Sequence, residues 1–240
     1  MTKKVGLMVS EIPFSNMPVL LKASGLDFFI LDYEHGSFDY SAMFEMITNA
    51  KLCGIECIVR LPNNERKDII KMLDMGASGL LLPMTSTKED IEKLVMYAKY
   101  PPLGKRGVST MRAHTLYNPP KVLDYMVEAN EKVKVFAQIE TVDGVNNLDS
   151  ILNVPGVSGA LIGPNDLSAD YGCLGDSNAK KILDAIEKVS HFKDSKHIGI
   201  ITGNKNYLSK AHELGFEYFS VGSELNAISN YSKKIKEENS

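Results

Sequence analysis

Short apolar runs alternate along the chain with longer segments in which apolar residues recur at helical spacing. The runs predict strands at Val5–Val9, Phe28–Asp32, Cys57–Arg60, Gly79–Pro83, Val133–Ile139, Gly159–Ile162, His197–Ile201 and Tyr218–Val221. Several, such as Phe28-Phe29-Ile30-Leu31, are apolar on both faces, as parallel strands covered on each side are. The spacing predicts helices over Tyr40–Leu52, Asn64–Met75, Thr87–Lys99, Lys121–Asn130, Val145–Leu152, Ala179–Phe192, Asn206–Leu214 and Leu225–Lys236. Asn64 is a cap candidate and Gly76 a stop; Thr87-x-x-Asp90 resembles a capping box, and the helix it opens ends before Pro101-Pro102. Eight βα units in one chain of this length favour closure into a (β/α)8 TIM barrel over an open doubly wound sheet. No linker or shift of composition divides residues 1–240, which are expected to form one domain with a fraying polar end at Lys233–Ser240.

The composition, 44% hydrophobic and 24% charged in 240 residues, is that of a soluble globular protein able to bury a substantial core. A net charge of −3 without a basic stripe argues against nucleic acid, and no run nears the roughly 20 apolar residues of a membrane span. The opening MTKKVGLMVSEIPFS lacks the apolar core of a signal peptide, so a cytoplasmic location is expected. Cys53, Cys57 and Cys173 read as reduced thiols, and Cys53-x3-Cys57 lacks the second pair that a zinc site needs.

The unusual polar residues fall where predicted strands end: Asp32, Glu34, His35, Arg60, Gln138, Glu140 and the run Gly163-Pro164-Asn165-Asp166. In a barrel those ends share one face, the face that carries active sites. Glu140 and Asp166 are hard oxygen donors suited to Mg2+ or Mn2+; the alternative is that Asp166 caps a helix and Glu140 enters a salt bridge. His35, three residues after Asp32, could be an oriented general base or a hydrogen-bonded loop histidine. Arg60 could pair with a carboxylate or bind a substrate oxyanion. The Gly104-Lys105-Arg106-Gly107 loop either borders the pocket or forms a turn, and His114, His191, His197 and His212 read as ordinary loop or surface residues. No lysine stands at a predicted strand end, which disfavours Schiff-base chemistry.

The segments LDYEHGSFD, IVRLPNNERKDIIKMLDMGASGLLLPM, YPPLGKRGV, AQIETVDGVNNLDSI and VSGALIGPNDLSADYG together resemble the class II pyruvate aldolases of the 4-hydroxy-2-oxoheptanedioate and 2-dehydro-3-deoxyglucarate aldolase type, over about residues 5–225. The resemblance implies reversible cleavage of a 4-hydroxy-2-oxo acid to pyruvate and an aldehyde through a pyruvate enolate. It implies Glu140 and Asp166 as ligands of a divalent cation, Mg2+ or Mn2+, with Co2+ a further candidate. It implies Arg60 on the pyruvate keto oxygen, a His35–Asp32 base dyad, Gln138 near the metal, and backbone amides of Asn165 and Asp166 on the pyruvate carboxylate. It also implies a homo-hexamer built as a trimer of dimers, with the last helix exchanged between partners. Alternatives are a related barrel lyase acting on a CoA thioester or decarboxylating oxaloacetate, and a non-catalytic barrel that binds a small acid. The chain departs from the pattern after Gly175, at Asn165, at Ser109-Thr110 and at Ser223-Glu224-Leu225, around the expected aldehyde end of the pocket.

Overall fold

In a computed structural model, which describes residues 2–240, the eight apolar runs lie parallel and close on themselves in sequence order, β1 returning to β8. The strands are β1 Lys4–Val9, β2 Phe28–Asp32, β3 Glu56–Arg60, β4 Gly79–Leu82, β5 Lys134–Ile139, β6 Gly159–Ile162, β7 His197–Ile201 and β8 Tyr218–Ser223. Around them run α1 Met17–Ala23, α2 Tyr40–Cys53, α3 Arg66–Met75, α4 Lys88–Ala98, α5 Val122–Lys132, α6 Val142–Asn146, α7 Leu148–Leu152, α8 Pro164–Asp170, α9 Lys180–Ser190, α10 Lys205–Glu213 and α11 Glu224–Glu238. This is the (β/α)8 barrel. No helix among the described residues is long and apolar enough to cross a membrane.

Successive strand residues face opposite sides, and this period divides the core in two. Phe29, Leu31, Val59, Leu80, Val135, Ala137 and Ile162 face outward into the helix layer. Phe28, Ile30, Ile58, Leu81, Phe136, Leu161 and Tyr218 fill the barrel, with Phe28 and Phe136 edge-on to Tyr218. Beneath this layer a polar floor closes the N-terminal end. Glu56 accepts from Lys4 Nζ at 2.9 Å and from Lys134 Nζ at 2.6 Å, and both lysines also donate to the Tyr218 hydroxyl.

Several elements differ from expectation. Helix α1 carries no side-chain cap and is short, so its spacing is a weak signal. Val145–Leu152 is two short helices, α6 and α7, which meet at Asn147. Glu65, not Asn64, is the first residue before α3, and its side chain makes no cap bond. Thr87 and Asp90 do form the reciprocal capping box of α4. The last helix diverges most. From Leu225 onward every residue of α11 is exposed, including the apolar stripe Leu225, Ile228, Tyr231 and Ile235, so α11 does not cover the barrel wall.

Glu56→Ala would leave Lys4 and Lys134 without a carboxylate in the half-buried floor. The expected cost is roughly 3 kcal/mol of unfolding free energy, because removing one member of a buried ionic set strands the others. Urea denaturation of the variant against wild type checks this.

Candidate active site

The inward parity of the core continues to the opposite end of the strands. Phe28 and Ile30 are followed by Asp32, Ile58 by Arg60, and Phe136 by Gln138 and then Glu140. Four polar side chains therefore project toward the axis above the apolar layer, and all four are buried. Asp32 and Arg60 are register partners on β2 and β3. Their side chains form a two-pronged pair, with Arg60 Nε donating to Asp32 Oδ1 at 2.9 Å and Nη2 to Oδ2 at 2.6 Å. Glu34 Oε2 lies 3.4 Å from the same Nε. Burial works to lower the Arg60 pKa, but the Asp32 hydrogen bonds and the Glu34 charge outweigh it, so the guanidinium stays charged. These contacts engage Nε and Nη2; Nη1 has no partner among the described residues.

Glu140 stands at the end of β5. Its Oε1 accepts the Met84 amide at 2.7 Å and its Oε2 accepts from Gln138 Nε2 at 2.5 Å. Met84 holds that amide in place from a left-handed backbone, φ 50°, a conformation that costs a non-glycine residue about 1–2 kcal/mol. Burial pushes the Glu140 carboxyl up to about 7; the Met84 amide and Arg60 pull it down, and Asp166 and Glu34 add to the rise. Gly163 is needed beside it, because a Cβ there would stand 2.7 Å from Glu140 Oε2. Gly163 leads into α8, whose first turn contains Asn165 and Asp166. First-turn amides have no partner within their own helix and suit an anion.

The structure thus brings Asp32, Arg60, Gln138, Glu140 and Asp166 to one rim, with the start of α8 beside Glu140. It does not join Asp32 to the His35 imidazole. Asp32 is occupied by Arg60 and by the backbone amides of Glu34 and His35, and the carboxylate nearest the ring is Glu34, 3.8 Å from Nε2. His35 itself is largely exposed on the rim loop. Glu34 is the member that the spacing underplayed, although its place two residues beyond Asp32 was the available signal. Burial raises its pKa, with Arg60 and His35 opposing. Arg106 does not border this site: it is buried on the other side of the molecule against Asp74. His114 is likewise buried, and His197 is bound to Glu217 at 2.6 Å, so neither is an ordinary surface residue.

Comparison with known proteins agrees with this geometry. The model of a family described as HpcH/HpaI aldolase/citrate lyase matches residues 15–230. The chain is 32% identical over 221 residues to 5-keto-4-deoxy-D-glucarate aldolase of Escherichia coli O139:H28, covering 90% of this chain and 84% of that one. The crystal structure of an HpcH/HpaI aldolase from Desulfitobacterium hafniense superposes with a TM-score of 0.93 at 30% identity, covering 99% of this chain and 92% of that one. That of the citrate synthase SbnG gives 0.86 at 28% identity, with 99% and 93% covered.

The raised Glu140 pKa sets a pH dependence for the metal-free protein. Between about pH 4.5 and about pH 7 the folded state keeps a proton that the unfolded state releases, so this group's contribution to stability falls as pH rises through that window. The full difference is of order 3 kcal/mol. Glu140→Gln removes the titration. In chelator, the variant is therefore expected to gain stability over wild type between about pH 5 and about pH 8, read by urea denaturation at both; parallel pH profiles would contradict the assignment.

Proposed function

The chain belongs to the HpcH/HpaI aldolase/citrate lyase family and is a carbon–carbon lyase of the metal-dependent aldolase class; we propose that it cleaves a 4-hydroxy-2-oxo acid reversibly to pyruvate and an aldehyde through a pyruvate enolate at the rim site. The observation that carries this reading is the charge of the rim. Asp32, Glu34, Glu140 and Asp166 interact electrostatically around one guanidinium, Arg60. An excess of carboxylates where an anionic substrate must bind calls for a cation. The donor set fits one: Glu140 is buried, Gln138 Oε1 is buried without a partner, and Gly163 keeps space against the carboxylate. Two carboxylates are hard oxygen donors of the kind that suit Mg2+ or Mn2+. Glu140 and Asp166 would hold the cation, with Gln138 beside them.

When bound, the cation supplies Lewis acidity that polarises the 2-oxo group and acidifies the adjacent methyl. The chain's own groups do the rest. The α8 amides of Asn165 and Asp166 hold the pyruvate carboxylate. Arg60, fixed by Asp32, presents its free Nη1 to the keto oxygen, where negative charge grows in the enolate. The methyl proton passes to the His35 imidazole beside Glu34; the C–H electrons form the carbon–carbon double bond, and the carbonyl pair moves onto oxygen. The enolate carbon then attacks the aldehyde carbon, and the new alkoxide takes up a proton. Asp32 is thus a positioning residue for Arg60.

Pyruvate alone tests the first half. In heavy water the metal-loaded protein is expected to exchange the pyruvate methyl protons, seen by NMR, and chelator to stop it. Arg60→Ala and His35→Ala are each expected to slow exchange by roughly 100-fold or more. An enzyme that releases pyruvate from a 4-hydroxy-2-oxo acid yet never exchanges its methyl protons would rule the enolate out.

The assembly we propose is a homo-oligomer, a hexamer as a trimer of dimers, in the cytoplasm. Its support is α11, whose apolar stripe is left exposed along the helix, and the groove at its root lined by Leu7, Val221 and Ala227. Truncation after Ser223 is expected to dissociate or aggregate the protein; light scattering that finds the full chain monomeric would contradict the assembly.

A further inference from the structure

On the face opposite the rim, a cavity of about 570 Å3 opens beneath α5. Its walls come from the C-terminal turns of α2 and α3, the loop through Arg106 and His114, α5, and the starts of β3 and β5. Four cationic side chains line it, Lys51, Arg106, Lys132 and Lys134, against two carboxylates, Glu56 and Glu128. Two of the cations have bonding capacity to spare. Arg106 is buried over the Tyr100 ring, with Nη2 on Asp74 at 3.0 Å, and its Nε has no partner. Lys51 makes no ion pair among the described residues; partial desolvation and the neighbouring Lys132 lower its pKa, with Glu128 opposing them.

The walls are fixed in place. His114 Nε2 lies 2.9 Å from the Ser109 carbonyl oxygen, to which it can only donate, so Nδ1 accepts from the Tyr125 hydroxyl. Burial lowers the His114 pKa, leaving a neutral ring that clamps the loop to α5 without adding charge. Gly76, at φ 109°, admits the basic side chain: a Cβ there would stand 3.1 Å from Lys51 Cδ and 3.6 Å from His114 Cα.

We propose that this cavity is a second ligand site, remote from the reaction centre, which takes a small dianionic oxyanion. The excess of two cations in the lining sets the charge. The apolar wall of Ile55, Leu73, Ala129 and Val133 suits an anion with a short carbon body, so a phosphate ester or a dicarboxylate meets the same requirements. Arg106 supplies a fixed charge from within the wall and Lys51 a mobile donor.

Inorganic phosphate and malonate, titrated separately by calorimetry into the full-length protein at constant ionic strength, distinguish the two sources. Hydrogen-exchange mass spectrometry locates the binding. Saturable binding of either anion with slowed exchange across residues 104–132 is expected; phosphate alone indicates a phosphate ester, malonate alone a dicarboxylate, both a general dianion site. Lys51→Met, and Lys132→Met as a solvent-facing second variant, are each expected to weaken binding by on the order of tenfold. The proposal is overturned if neither anion binds, if protection appears only at the rim around α8, or if both variants bind as wild type does.

Discussion

A side chain two residues further along a strand points the same way, and in a closed barrel one of the two ways is the axis. The rim rests on this constraint. The residues that fill the barrel, Phe28, Ile30, Ile58 and Phe136, share their parity with Asp32, Arg60, Gln138 and Glu140 above and with Glu56 and Lys134 below. Apolar packing in the middle therefore fixes where the charges at both ends must point. A slip of one residue in β3 would send Arg60 into the helix layer and bring Val59 to the rim.

Register adds the second half of the arrangement. With Asp32 and Arg60 opposite one another, the guanidinium is oriented by a neighbouring strand and not by a loop. One carboxylate spent on orientation leaves Glu34, Glu140 and Asp166 as further negative charge. Burial of Glu140 makes that charge expensive unless it is protonated or met by a cation. Met84 strains its own backbone to give Glu140 a hydrogen bond, a local cost that the surrounding β4 and β5 packing sustains.

Much of this was legible in the amino-acid pattern. All eight strands lie within two residues of their expected bounds, because runs such as Phe28–Leu31 have both faces buried and no competing helical period. The ring of polar strand ends came directly from those bounds. What could not be read was side-chain partnership. Asp32 and His35 are close in sequence, but Asp32 meets Arg60, 28 residues on, through strand register. Helices α1 and α8 escaped notice because each has only seven residues and begins beside a proline. The cavity under α5 joins residues from Ala50 to Lys134, and no local spacing announces such a meeting.

The sealed floor has a kinetic consequence. Lys4, Glu56, Lys134 and Tyr218 close one end of the barrel and the aromatic layer fills its middle, so no tunnel runs through it among the described residues. Traffic to the rim groups passes through a single doorway. Whatever sits deepest must enter first and leave last, and in the proposed mechanism that is pyruvate, held between Arg60 and the start of α8 while the aldehyde comes and goes in front of it. Condensation should then obey a compulsory order, and excess aldehyde reaching an empty site should obstruct the keto acid rather than hasten the reaction.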